Sequence, residues 1–322
     1  MLCNICQSTA KLVLSKLEGF KANHFFEVYE CQKCKASFCY PNKEDPEIYK
    51  DIYKYGETIS GYNRYHAYFR SIKNKNNPLE FLSQQEDCYW FINEYLKNNI
   101  DKHKAKLLEV GSGLGYLTYS LHNAGYNIQG VELSSDAVEG AINQFGNLYQ
   151  CKNALKLGGE NNFDVILLTE VIEHLSNPEA FIKQLSNILS PNGVILVTTP
   201  NKEFISNKAS EWASDLPPVH LWWFTKKSFQ TIAMKTNMKV EFQNFHKWNR
   251  KNFSASLYRK PKRALYLPRM NEDGSPANPN RCEIKPKKIT KIIKSIIRYW
   301  FYHKKVNLAE GAIIGAIFRK TK

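Results

Sequence analysis

Glu109 to Gly115 reads E-V-G-S-G-L-G, directly after the apolar pair Leu107-Leu108 and directly before Tyr116-Leu117-Thr118. A carboxylate, Glu132, follows about 20 residues further on. Strand, glycine turn, helix and distal acid form a unit that binds a nucleotide at the carboxyl edge of a parallel sheet. The dinucleotide version needs a third glycine where helix and strand pack closely. Counted from Gly111 that position falls on Tyr116, so the pattern does not select NAD. No Gly-Lys-Ser/Thr follows, which excludes a P-loop. A turn without the phosphate cradle suits a cofactor that has a nucleoside but no pyrophosphate.

From Lys106 onward, short apolar runs alternate with helical segments, the pattern of a doubly wound α/β sheet. Leu107–Val110, Ile128–Val131, Tyr149–Cys151, Asp164–Leu168 and Val194–Thr198 read as strands. Tyr116–Asn123 and Ala137–Phe145 read as helices, the second capped by Ser134-Ser135-Asp136. Asn177-Pro178 starts a helix that runs to Leu189, and Ser190–Gly193 reads as a turn. A helix near Lys227–Met234 precedes strands at Val240–Phe245 and Ala312–Phe318, a last pair that reads as antiparallel.

This order, with the E-V-G-S-G-L-G turn, resembles the class I S-adenosylmethionine-dependent methyltransferases over roughly Lys106 to His246 and the final strand. The resemblance implies S-adenosyl-L-methionine as cofactor. Glu109, Gly111, Gly113 and Gly115 match the motif that passes under the methionine part, and Glu132 matches the acid that holds the ribose hydroxyls. Asn153-Ala154 matches the position facing adenine, where an acid is more usual, and Glu170 lies near the cofactor. The expected fold class is α/β: a doubly wound seven-stranded core, a small N-terminal zinc ribbon and a basic helical insertion near the C-terminus.

The ribbon rests on Cys3-x-x-Cys6 and Cys31-x-x-Cys34, two pairs separated by 24 residues. Each pair offers two thiolates from one tight turn, and together they complete a tetrahedral zinc site. The spacer holds two strand-like runs, Leu12–Leu14 and Phe25–Tyr29. A unit of about 40 residues builds little core, so metal would supply stability. Cys39 is an alternative ligand, and Cys88, Cys151 and Cys282 read as isolated. The chain thus divides into a ribbon (1–40), a tyrosine-rich helical segment (41–105), a core (106–246), a basic insertion (247–306) and a last core strand (307–322). Glu47–Arg70 reads as broken helix and Pro78–Asn98 as helix; the two either cover the cofactor cleft or pack on the core.

After the fourth core strand comes Glu170-Val171-Ile172-Glu173-His174, beyond the carboxyl edge where ligands sit. On a helical turn Glu170, Glu173 and His174 face one side. With His220 in Val219-His220-Leu221-Trp222-Trp223-Phe224-Thr225, the set resembles two methyltransferase branches. One contains the ubiquinone-biosynthesis O-methyltransferases. The other contains the small-RNA 2′-O-methyltransferases, whose two glutamates and two histidines bind magnesium or manganese. Carried over, Glu170, Glu173, His174 and His220 are candidate ligands for Mg2+ or Mn2+. Without metal, His174, His220 and Glu173 are the candidate catalytic residues, with a histidine as general base. Leu221–Phe224 reads as pocket wall and core, or as an aromatic platform for an acceptor.

Charge is uneven. Lys247 to Lys322 holds 20 Lys and Arg against 4 acids, while the first 246 residues hold 25 against 26. Basicity therefore belongs to the C-terminal quarter and is a weak argument for whole-protein nucleic-acid binding. Residues 287–301 read as a basic amphipathic helix that packs on the enzyme, lies on an anionic membrane surface, or contacts nucleic acid. The N-terminus lacks signal-peptide features and no run of about 18 apolar residues occurs, so a cytoplasmic location is expected, with a position peripheral to the inner face of a membrane as an alternative. The expected activity is methyl transfer, at oxygen, to a small or sugar-type acceptor. The alternatives are metal-assisted RNA 2′-O-methylation and a zinc-ribbon binding module without catalysis.

Overall fold

The structure is a computed structural model that describes residues 1–59, 61–157, 162–205, 215–252, 268–277 and 308–321. At the N-terminus β1 (Ala10–Glu18), β2 (Phe25–Cys31) and β3 (Ser37–Tyr40) form an antiparallel meander. Two strands were expected here and three are found. The third follows because the turn Gln32–Ala36 that carries Cys34 reverses the chain and puts Phe38 opposite Tyr29.

Two helices follow, α1 (Pro46–Tyr55) and α2 (Asn63–Ser71). Asp45 caps α1 and Pro46 occupies its first turn. The helix expected over Pro78–Asn98 is broken into α3 (Pro78–Gln85) and α4 (Asp87–Asn99). Glu86 between them is extended, and its carboxylate accepts from Arg64 Nε at 3.0 Å and Tyr68 Oη at 2.9 Å. Those bonds reach back to α2 and tie the break to the preceding helix.

The core then runs β4 (Lys106–Val110), α5 (Tyr116–Asn123), β5 (Asn127–Glu132), α6 (Ser135–Phe145), β6 (Tyr149–Cys151) and β7 (Phe163–Thr169). It continues through α7 (Pro178–Asn187), β8 (Leu189–Pro200), the short α8 (Lys202–Ile205), β9 (Trp222–Trp223), α9 (Lys226–Lys235), β10 (Met238–Phe242), α10 (His246–Lys251) and β11 (Ile313–Lys320). The seven-stranded sheet has the order β10-β11-β8-β7-β4-β5-β6, with β11 antiparallel to both neighbours and β4 through β8 parallel. The central strand β7 is buried almost throughout, the continuous apolar pattern of a strand covered on both faces. The turn expected at Ser190–Gly193 is extended instead, because Leu189 pairs with Phe163 and Val194 with Val165 across a register shift.

The ribbon is not a separate bead on this core. β9 lies within the core segment of the chain, yet it pairs with β3, Ser37 opposite Trp223 and Phe38 opposite Trp222, and completes the four-stranded ribbon sheet. Lys202, 4% exposed, reaches across to Glu30 Oε2 at 2.7 Å and to the Lys35 carbonyl at 2.7 Å. Thr225 Oγ1 donates to the Cys34 carbonyl at 2.9 Å. Trp222 and Trp223 are core side chains here, with Trp222 packed on Phe38 and Phe224, rather than an acceptor platform. The expected helix at 287–301, with its membrane and nucleic-acid readings, lies outside the described residues, as does Cys282.

Candidate active site

The glycine turn links β4 to α5, and its three glycines all lie at positive φ: Gly111 at 73°, Gly113 at 49° and Gly115 at 83°. A side chain at Gly115 would also meet Ala141 Cβ and the Tyr149 ring at 2.8 Å. Gly115 therefore provides the close packing of helix against sheet that the dinucleotide pattern assigns to a later glycine. Gly111 lies under Val171, whose Cγ2 would sit 2.7 Å from an added Cβ.

Glu132 ends β5 beside this turn. Its Oε2 accepts from Gly113 N at 3.0 Å, and its Oε1 from Leu133 N at 2.7 Å and Ser134 N at 3.1 Å. Three backbone donors leave acceptor capacity on this carboxylate, which lines the cavity beside the Tyr53 hydroxyl. Asn153 caps the turn Ala154–Lys156 by accepting from Leu155 N through Oδ1 at 2.9 Å, so its NH2 group is what remains to offer a ligand. Glu109 is 4% exposed, accepts from Thr118 Oγ1, and is pushed up to about 8 by burial.

These groups line one cavity of about 790 Å³. Its opposite wall comes from the tyrosine-rich segment: Tyr49 and Tyr53 on α1, Tyr62 and Tyr65 at the start of α2. Residues of α1 and α2 thus line the cleft, whereas α3 packs on α4 and α5, and α4 meets β11 and adds Tyr89 to the lining.

At the other end of the cavity, Ile172–His174 forms a single 3-10 turn after β7. Glu170 precedes it at φ 54°, so the expected helical face of Glu170, Glu173 and His174 does not form. One ligating atom each from Glu173, His174 and His220 lies within 4.8 Å of the others, and Glu170 is outside that group. Glu173 is fully buried with no hydrogen-bond partner on either oxygen, and burial raises it well above the carboxylate range. Glu170 is pushed up to about 8 by burial. His174 Nδ1 lies 2.5 Å from the Val219 carbonyl, which makes Nδ1 the donor and puts the lone pair on Nε2. His220 packs edge-on against His174 at 4.8 Å, its Nδ1 buried without a partner. Burial lowers both imidazoles, His220 the more strongly.

Cys3, Cys6, Cys31 and Cys34 converge, with all four Sγ atoms within 4.8 Å of one another. Cys3 and Cys34 are 3.7 Å apart and Cys6 and Cys31 3.2 Å. Tetrahedral zinc with bonds of about 2.3 Å sets its sulfurs about 3.8 Å apart, so the cluster fits that ion. The contact between Cys3 and Cys34 pulls the Cys3 thiol down to about 5 and pushes the Cys34 thiol up, so without a cation the pair keeps a proton on Cys34. Cys39 faces away, its thiol on the Pro41 carbonyl at 3.4 Å, and is not part of the group.

Residues 83–242 match the family described as "Methyltransferase domain". The chain carries a class I methyltransferase domain. The chain is 31% identical over 123 residues to the ubiquinone biosynthesis O-methyltransferase of Rickettsia prowazekii, covering 35% of this chain and 47% of that one. It is 28% identical over 160 residues to the protein of the same name from Pelagibacter ubique, covering 48% and 65%. The chain thus spans about half to two thirds of the length of these curated relatives. Among solved structures, the plantazolicin methyltransferase BamL aligns with TM-score 0.45 and 17% identity over 86% of this chain and 92% of that one. A SAM-dependent methyltransferase from Archaeoglobus fulgidus aligns with TM-score 0.44 and 15% identity over 72% and 94%.

The fold brings Asp215 and Arg269 into the same cavity. Neither is legible in the sequence. Asp215 precedes the Leu216-Pro217-Pro218 loop, and Arg269 lies in a proline-rich stretch without periodicity.

Proposed function

We propose that the protein transfers a methyl group from S-adenosylmethionine to an oxygen of a small organic acceptor. The observation that carries this reading is the single cavity that joins the Gly111–Gly115 turn and Glu132 to the His174–His220 pair. Its chemistry suits a cationic cofactor. Glu109 and Glu170 are each pushed up to about 8 by burial, and a positive ligand group beside them would stabilise their charged forms. The cofactor supplies an electrophilic methyl on a sulfonium. Oxygen as acceptor is supported by the names of the curated relatives. A sugar ring or a phenol with a free hydroxyl fits a space walled by Tyr49, Tyr53, Tyr62 and Tyr65.

In this reading Glu132 Oε2 receives a ribose hydroxyl, the Asn153 amide donates to the adenine edge, and Gly111 to Gly115 let the backbone approach the methionine part. His174 Nε2 takes the acceptor proton as the carbon–oxygen bond forms and the carbon–sulfur bond breaks. The Val219 carbonyl keeps the proton on Nδ1, so Nε2 is the base. The four cysteines hold a structural zinc with no open position.

A second reading, a divalent cation on Glu173, His174 and His220, is favoured by the orphaned Glu173 carboxyl. Magnesium or manganese there would lower the acceptor hydroxyl pKa. A pH–rate profile measured with and without EDTA, on enzyme verified to retain its zinc, tests both. Because burial lowers His174, its base form persists below the usual histidine range. The acid limb should therefore lie below pH 6.5, the rate falling only as pH drops through the lowered value. His174→Asn should reduce kcat by about 10² or more. A rate unchanged by EDTA supports the imidazole alone, while a rate lost to EDTA and restored by Mg2+ or Mn2+ supports the cation. An acid limb unmoved by His174→Asn contradicts the base assignment.

A further inference from the structure

The β1–β2 hairpin tip of the ribbon reaches the acceptor end of the cavity. Phe20 N donates to the Pro217 carbonyl at 2.7 Å, three residues before His220. The Phe20 carbonyl accepts from Arg269 N at 2.8 Å and Met270 N at 3.0 Å, and its ring meets Tyr62 edge-on at 5.8 Å. One residue of the ribbon therefore fixes the His220 loop, the Tyr62 wall and the strand-like segment that carries Arg269.

Two arginines line this cavity. Arg64 is committed: it bonds Glu86 at 3.0 Å, the Gly61 carbonyl at 2.8 Å and Tyr65 Oη at 2.6 Å. Arg269 is half-buried, its charge and that of Asp215 both act on the Tyr62 hydroxyl, and among the described residues no hydrogen bond or ion pair holds its guanidinium. A cation partly removed from water without a partner is costly, and guanidinium groups placed this way match planar or tetrahedral oxyanions. A neutral acceptor would leave the fork unsatisfied. We propose that Arg269 is a specificity-determining residue that binds an oxyanion, phosphate or carboxylate, carried by the acceptor. The inference rests on the acceptor-site reading above and adds the substrate class: an acidic molecule whose free hydroxyl points at His174.

The test is calorimetric titration of the protein saturated with S-adenosylhomocysteine, using pyrophosphate in one arm and malonate in the other. One of the two should bind, and which one names the source of the oxyanion. Arg269→Gln should weaken that binding about tenfold or more, with Arg269→Lys, which keeps the charge, in between. Both variants should bind S-adenosylhomocysteine as the wild type does, because Arg269 is docked through its backbone and none of the groups assigned to the cofactor hydrogen-bonds its side chain. Binding of neither anion, or equal binding by Arg269→Gln, overturns the inference. Failure of the wild type to bind S-adenosylhomocysteine would instead count against the cofactor reading, so the two failures are distinguishable.

Discussion

Cys31→Ser should release one zinc per chain, lower Tm by about 10 °C or more, and damage acceptor methylation far more than cofactor binding. The stability argument starts from the ligand set. Cys31 is fully buried beside Cys6, and a structural zinc contributes on the order of 10 kcal/mol to a small domain that cannot build its own core. The functional argument follows the contacts outward. The Cys31–Cys34 turn offers the Lys35 carbonyl to buried Lys202 and the Cys34 carbonyl to Thr225. β3, which follows the turn, holds β9, and the Cys39 N–H bonds the Leu221 carbonyl at 3.1 Å. Leu221 N in turn donates to the Glu173 carbonyl at 2.8 Å. Loosening the ribbon thus frees both sides of the His220 loop, while Gly111 to Gly115 and Glu132 belong to the other sheet. Elemental analysis, a melting curve and paired binding and rate measurements check this. Unchanged metal content, or an unchanged Tm, would remove the zinc from the account.

Glu132→Ala should weaken S-adenosylhomocysteine binding by about 10²-fold. One loss is the acceptor for a ribose hydroxyl, and hydrogen bonds to charged groups contribute about 1.5–3 kcal/mol. The other is the brace. Glu132 accepts from Gly113, Leu133 and Ser134 N–H groups, so its removal leaves the glycine turn and the start of α6 without their shared acceptor. Far-ultraviolet circular dichroism should stay native, because α6 keeps its Ser134 cap and β5 its ladder. Affinity within threefold of the wild type would mean that Glu132 only shapes the turn.

The sheet was legible because period and punctuation agree along the chain. Each parallel strand from Leu107 to Thr198 is a short apolar run closed by a turn or a cap, and Ser134, Asn177 and Thr225 cap α6, α7 and α9. The cysteine spacing was equally direct, since two tight turns with thiolates have few other uses. What the sequence hides is long-range pairing. Trp222-Trp223 is too short to announce a strand, and its partner Ser37-Phe38 lies some 185 residues away in a different segment. Local spacing also overstated the Glu170, Glu173 and His174 set. An i, i+3, i+4 argument assumes a helix, but Glu170 takes a positive φ and only a 3-10 turn follows. Arg269 was invisible for the same reason as β9: Phe20, its docking partner, is remote in the chain.

The central claim is that the E-V-G-S-G-L-G turn and Glu132 bind a single adenosyl cofactor rather than a dinucleotide. Parallel calorimetric titrations of the wild-type chain with S-adenosylhomocysteine and with NAD address it most directly. The account predicts one site for S-adenosylhomocysteine, weakened in Glu132→Ala, and no heat with NAD. Saturable binding of NAD, or no binding of S-adenosylhomocysteine, would contradict it.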